Sequence, residues 1–410
     1  MGRIWNLYKN TQLLTKMFVA LILGIITGFI LGPEAIILEP FGNLFLKLLQ
    51  MVALPLIICN LLAGLCSLGD PKLFGKIGGK VLLYYMLTTG FAMIIAVLVG
   101  SVVKPGIGFS LAGDYALTTD AAPSIGATIL AMIPYNIFEA LSDGKFDQVV
   151  VFVAIFGIAT LWVPAAEREK IASASAILSN IFGKIMGAIM LYAPIGIFAL
   201  MAKIFGTYGV SIGGALAKYV VSVYISVILM VCLYLIILSI FTNTNPFYFL
   251  KKSAPLVMSA ASTCSSIATL PVSLQCADSL GIPKGISSFT LPLGNQLNKD
   301  GMGIFFAMSF MLTAQAAGVT FAPIDLARMI LLGLLLTTGG GGIPGGAMVF
   351  LAMILESFGL PVEVVGIIAG IHTLNEMGLT TLNCMGDLVG TMVATFSGKD
   401  RDKLPVEARR

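Results

Sequence analysis

Charge is scarce in this 410-residue chain: 11% of its residues are Asp, Glu, Lys or Arg, against 58% hydrophobic. A soluble domain carries about 25% charged residues, so the polar coat that a soluble surface needs has nothing to be made from. That excludes a secreted or cytosolic globular enzyme, a nucleic-acid binder and a disordered protein, and leaves a polytopic membrane protein. Histidine is rarer still, with His372 alone; without an HExxH run, zinc chemistry has little to build on. The six cysteines (Cys59, Cys66, Cys232, Cys264, Cys276 and Cys384) sit singly in apolar runs with no CxxC pair. They read as small buried hydrophobes rather than disulfide or metal partners.

Apolar sequence is what the chain does have. A run from about Leu13 to Gly32 follows a basic N-terminus, is longer than a signal-peptide core and ends in GPEAIILEP, so it reads as a retained first helix. Further runs lie near 41–68, 78–103, 130–163, 176–202 and 218–241, each long enough to cross about 30 Å of hydrocarbon. Basic residues mark alternate loops. Arg3, Lys9 and Lys16 precede the first run, Lys72, Lys76 and Lys80 follow the second, and Arg168, Lys170 and Lys184 come after the loop holding Asp114 and Asp120. Lys251, Lys252 and a tail with Lys399, Arg401, Lys403, Arg409 and Arg410 complete the pattern. By the positive-inside rule both termini are expected in the cytoplasm, with an even number of full crossings of the cytoplasmic (inner) membrane.

After Lys252 the pattern changes. Two apolar segments, Ser259–Ser273 (SAASTCSSIATLPVS) and Leu336–Met348 (LTTGGGGIPGGAM), are broken by small residues and then a proline. Freed backbone at membrane depth is tolerated only where protein buries it or it lines a cavity. Each is followed by a helix bearing polar residues, NQLNKDG at 295–301 and HTLNEMGLTTLNCMGD at 372–387. Two matching units of hairpin then helix, entering from opposite sides, would form an inverted repeat, and such interrupted segments point to a transporter's binding site. Close helix packing by small residues is the competing account of single glycines, but it explains poorly two proline-bearing clusters each followed by charge.

In the last helix His372, Glu376, Leu379 or Thr380, Asn383 and Asp387 recur on one helical face. Charges this deep cost several kcal/mol each unless paired or hydrated. Asn298, Asp300, Asn383 and Asp387 offer hard oxygen ligands that hairpin carbonyls would complete for a small cation, while hairpin-tip amides suit a carboxylate. A buried Lys–Asp–Asp network that only locks helices together is the alternative.

These residues resemble the glutamate/neutral amino acid transporter family, the dicarboxylate/amino acid:cation symporters, over essentially the whole chain. The serine-rich hairpin, the N-x-D-G stretch, the glycine-rich hairpin and the final N-x-x-x-D carry the likeness. The resemblance implies an all-α fold of eight transmembrane helices plus two re-entrant helical hairpins, and a homotrimer in which a transport domain slides like an elevator against a scaffold. The implied division is scaffold helices one and two in 1–77, transport helix three in 78–103, and scaffold helices four and five in 104–206. Helix six, both hairpins and helices seven and eight fill 207–398, with a cytoplasmic tail at 399–410. It implies one sodium site at Asn383, Asp387 and the Gly294 carbonyl, and another at Tyr85, Thr88, Thr89, Asn298 and Asp300. The substrate's carboxylate would lie among Ser265, Ser266, Gly342, Thr380 and Asn383. No bound cofactor is implied; the coupling ion would be sodium, with a proton as the alternative.

The departures from the pattern carry more information. Leu379 stands where acidic-substrate members have an arginine, and Met302 replaces a threonine of the same subsite. Neither can pair a second carboxylate, and burying one unpaired is strongly unfavourable, so a small neutral amino acid is expected. Glu376 replaces the aspartate that takes the substrate's amino group, and His372 another aspartate. Gln296 replaces a threonine lining a further sodium site, and Lys299 replaces a methionine beside it. An ammonium there would repel a cation by about 4 kcal/mol at 4 Å with an effective dielectric of 20. Lys299 therefore either stands in for one coupling sodium, or snorkels to water or pairs with Asp300 without changing coupling. Proton coupling through Glu376 or His372, or an uncoupled carrier of another small carboxylate, stays open. An intramembrane aspartyl protease needs GxGD, whereas this chain has Cys384-Met385-Gly386-Asp387, and a channel would build its pore from rings on an oligomer axis.

Overall fold

A computed structural model describes residues 13–67, 71–108, 130, 133–209, 211–339 and 346–397. Every regular element among them is helical, the form in which a chain satisfies its own backbone within lipid. Helix α1 (Leu13–Leu31) turns through a 3-10 segment (Gly32–Leu38) into α2 (Glu39–Ser67). Gly32 makes that turn at φ 55°, in the left-handed region, where a side chain would be strained. Then follow α3 (Pro71–Val103), α4 (Ile137–Ser142), α5 (Phe146–Ala159), α6 (Ala165–Tyr208) and α7 (Ser211–Phe241). The C-terminal part holds α8 (Pro246–Thr263), α9 (Ser266–Ser279), α10 (Lys284–Leu297), α11 (Asp300–Ala316), α12 (Pro323–Gly339), α13 (Gly346–Ser357) and α14 (Val364–Phe396).

Among the described residues, four stretches are long and apolar enough to cross a membrane: Thr15–Ala63, Ile77–Val103, Ala165–Thr207 and Gly213–Phe241. The first takes in α1 and most of α2. The run at 130–163 differs from the expected single span. It is divided by a turn in which Gly144 takes φ 66°, and α5 has only 14 residues, about 21 Å at 1.5 Å each. Hydropathy averages across such a turn and does not register it.

Packing sorts the helices into two groups. Helix α6 lies along α1 and α2, and α5 packs on α2; α3, α7, α8 to α11 and α14 pack on one another. Helices α12 and α13 touch both groups, and the early part of α14 also meets α6 and α1. Large apolar side chains such as Ile30, Val102, Leu191 and Ile228 point outward, as lipid-facing positions do. Four of the six cysteines are buried as expected, but Cys232 is exposed on α7 and Cys264 is half-buried where α8 ends.

Candidate functional site

The serine-rich segment breaks where its composition says it should. Helix α8 ends at Cys264, which takes the left-handed φ of 49°, and Ser265 is extended. A non-glycine residue in that region is costly and persists only where its surroundings hold it. Here Cys264 N–H donates to the Ala260 carbonyl at 2.9 Å, and the Ser265 hydroxyl accepts from Ala268 N–H at 3.3 Å, capping α9. Asn295 on α10 then donates its side-chain amide to the Ser266 carbonyl at 3.0 Å, which ties the break to the next helix. In the glycine-rich segment, residues 340–345, and with them the expected carboxylate contact Gly342, lie outside the described residues; α12 and α13 flank them.

NQLNKDG does not sit inside one helix as the sequence suggests. It spans an interruption: α10 ends at Leu297, Asn298 and Lys299 are non-helical, and α11 begins at Asp300. Long-range side chains support the exposed backbone there. Gly301 N–H donates to Asn383 Oδ1 at 2.7 Å, and Asn298 Nδ2 donates to Asp387 Oδ1 at 3.0 Å and to the Asn383 carbonyl at 3.3 Å. Asp300 Oδ1 accepts from Thr89 at 2.6 Å and Thr88 at 3.3 Å, while Tyr234 on α7 donates its hydroxyl to Oδ2. Gly294 completes the enclosure, since a Cβ there would lie 2.6 Å from both Asp387 Oδ1 and the Tyr85 hydroxyl. Tyr85 itself donates to the Thr290 carbonyl at 3.2 Å.

Asn298 Oδ1 is buried with no hydrogen-bond partner. An orphaned buried oxygen is costly for a folded protein unless something occupies it. Together with the carboxylates of Asp300 and Asp387 and the hydroxyls of Thr88 and Thr89, it is the donor chemistry of a hard cation.

Lys299 follows neither of its two bland expectations. Its residue is 4% exposed, so the ammonium does not snorkel to water, and no ion pair joins it to Asp300 among the described residues. It donates instead to the Asn295 carbonyl at 2.6 Å, at the C-terminal end of α10, where a helix favours a cation. Gln296 is exposed, away from this cluster.

On α14, His372 Nε2 and Glu376 Oε2 are 2.6 Å apart, one turn from Leu379. Leu379 and Thr380 are buried, and a Cβ on Gly301 would collide with the Leu379 carbonyl, so α11 and α14 are in backbone contact there. Met302 is half-buried on α11. A separate cavity of about 370 Å³ lies at the far end of α3 and α11, lined by Lys104, Met311, Gln315 and Phe321 among others, and includes none of these residues.

Sequence reasoning missed Tyr234, Asn295 and Asn375. Asn375 is fully buried with neither side-chain atom partnered. A tyrosine in the middle of an apolar helix was the available signal, because a buried phenol needs an acceptor.

A sequence model described as the sodium:dicarboxylate symporter family matches residues 13–396. The chain belongs to that family. A proton/sodium-glutamate symport protein of Geobacillus stearothermophilus is 30% identical over 398 residues, covering 94% of each chain. A proton/glutamate-aspartate symporter of Escherichia coli (strain K12) is 28% identical, covering 92% of this chain and 91% of its own. A C4-dicarboxylate transport protein of Laribacter hongkongensis is 30% identical, covering 98% and 93% respectively. Symporters are transporters, not enzymes.

Proposed function

We propose that this symporter carries a small neutral amino acid across the cytoplasmic membrane, coupled to cation entry. The observation that carries the reading is Leu379, 4% exposed on the α14 face between Glu376 and Asn383, with Met302 half-buried on α11. A second carboxylate brought to that position would meet an aliphatic side chain and lose its hydration without a partner. The relatives named above are glutamate, aspartate and C4-dicarboxylate carriers, so specificity is where this chain parts from them. Ser265, Ser266, Gly342, Thr380 and Asn383 would hold the substrate's carboxylate and Glu376 its ammonium. Tyr85, Thr88, Thr89, Gly294, Asn298, Asp300, Asn383 and Asp387 would hold sodium.

Eight crossings and two re-entrant hairpins in an inverted repeat, assembled as a homotrimer with both termini cytoplasmic, form the framework of the proposal. The two packing groups support an elevator, with α3 and the elements from α7 onward moving against α1, α2 and the 104–206 helices. Lys299 takes the place of one coupling sodium: its ammonium already sits on a helix-end carbonyl, a position a monovalent cation would use. A thermal-shift panel of neutral and acidic amino acids on purified protein, with and without sodium, tests the specificity. Tighter binding of aspartate than of any neutral candidate overturns it. Lys299→Met in proteoliposomes is expected to raise the number of sodium ions carried per substrate; an unchanged ratio overturns the surrogate role.

A further inference from the structure

We infer that His372 is the resident counter-ion of Glu376 and that a substrate's ammonium supplants it, so that loading an amine-bearing substrate expels a proton while loading an amine-free carboxylate does not. The inference rests on the proposed role of Glu376 as receiver of the amino group, and it adds a proton to what that site exchanges.

The geometry of the pair separates the two side chains by access. His372 is 15% exposed and Glu376 37% exposed, so the carboxylate is the member that a ligand reaches. The imidazole is clamped on its other side by the Phe305 ring of α11, with ring centroids 4.7 Å apart. Its Nε2 lies 2.6 Å from Glu376, and its Nδ1 is buried with no partner. A ring in this setting has one proton well held, on Nε2, and one site that no acceptor supports.

The groups facing the pair define what can give way. Lys299, at the start of α11, and Cys264, at the hairpin break, face Glu376. On α7 the Tyr224 hydroxyl is engaged with the Leu374 carbonyl at 2.6 Å. With His372 protonated, two cations already surround one carboxylate. An arriving ammonium makes three, and of the three kinds of cation imidazolium is the strongest acid, the one that most readily gives up a proton. The balance is simple. The substrate keeps all its protons, His372 releases the Nδ1 proton to water, and Nε2–H stays on Glu376. Counting the substrate's ammonium alone, the charge around Glu376 is then the same before and after loading.

Titration calorimetry on the full-length purified protein at pH 6, in two buffers of different ionisation enthalpy, tests this with two matched ligand pairs. Leucine is compared with 2-hydroxy-4-methylpentanoate, and aspartate with malate, each pair differing only in amine against hydroxyl. We expect the binding heat of the amine member to change with buffer, reporting proton release, and that of the hydroxy acid to be buffer-independent. The amine member's Kd should weaken as pH falls, and the hydroxy acid's should not. His372→Gln keeps a donor on Glu376 but cannot ionise, so it should bind the amine member without proton release. A buffer-independent heat for the amine member in the unaltered protein overturns the inference, as does release that persists in His372→Gln. Should that variant not fold, the matched pairs on the unaltered protein decide alone. If the aspartate pair binds more tightly than the leucine pair, the neutral-substrate reading fails while the proton count on aspartate still decides this one. Binding of malate or the hydroxy acid with neither amine member overturns both.

Discussion

Where α6 runs along α1, glycine brings backbone onto backbone: a Cβ on Gly28 would lie 2.5 Å from the Ala202 carbonyl oxygen, and one on Gly24 2.6 Å from that of Phe198. Where α10, α11 and α14 meet, glycine also brings backbone onto polar side chains. A Cβ on Gly386 would lie 2.5 Å from the Tyr234 hydroxyl and 2.6 Å from Asn298 Nδ2. The same residue thus serves dispersion and close approach in one half of the molecule, and in the other makes room for a buried polar network. The two halves should fail in different ways. Damage to the first should cost stability and leave ligand affinity alone, whereas damage to the second should cost affinity first.

The sharpest test of that contrast is Asp300→Asn. Three hydroxyls, from Thr88, Thr89 and Tyr234, converge on this carboxylate, and an amide presents one of them with a donor instead of an acceptor. Breaking a buried charged network costs about 3–5 kcal/mol, or about two to four orders of magnitude in the binding it supports. We expect uptake in proteoliposomes to fall to background. Uptake within a factor of a few of the unaltered protein would remove Asp300 from the coupling machinery.

Gly386→Ala and Gly28→Ala form a matched pair, because overpacking costs up to about 3 kcal/mol wherever it occurs. In Gly386→Ala the loss should appear as weakened cation and substrate binding, since Tyr234 and Asn298 must move off Asp300 and Asp387. In Gly28→Ala it should appear as a lowered Tm with substrate Kd unchanged. Equal loss of Kd in both would dissolve the distinction between the halves.

Which of these features could be read in advance depends on the range of the cause. The serine-rich break was legible because its causes are local: small residues, a capping Ser265 and a bond four residues back from Cys264 to Ala260. The interruption at Asn298 and Lys299 was not, because its partners Asn383 and Asp387 are 82 to 89 residues away. Polar spacing on α14 correctly placed His372 and Glu376 on one face, yet only coordinates reveal that they bind each other. Lys299 was legible as an anomaly, and its resolution by the Asn295 carbonyl one turn back was not foreseen. The run at 130–163 misled for the opposite reason, since averaging apolar residues hides a single turn at Gly144.

Tyr234→Phe refines the polar half on a finer scale. It removes one hydrogen bond to a charged group, worth about 2 kcal/mol, and alters nothing else in shape. A cation bound by Asp300 neutralises the same carboxylate, so the lost bond matters most when no cation is present. We expect Tm to drop in sodium-free buffer and to recover most of the difference as sodium is added. A deficit that is the same at all sodium concentrations would place Tyr234 in the fold alone.

The smallest effect belongs to the scaffold-like half, at the ion pair that joins α6 to α2. Lys203 on α6 and Glu39 at the start of α2 are 2.5 Å apart, with side chains 29% and 30% exposed. Their contact is as short as those around Asp300, and distance alone would rank them together. Exposure separates them, because partly hydrated charges gain little from pairing, about 0–1 kcal/mol, while buried ones have no water to fall back on. Glu39→Gln is therefore expected to lower Tm only slightly, by less in high salt than in low, with Kd unchanged. A loss as large as that of Asp300→Asn would mean that the pair is enclosed in the membrane-embedded protein, and that the contrast between the halves lies in composition rather than in access to water.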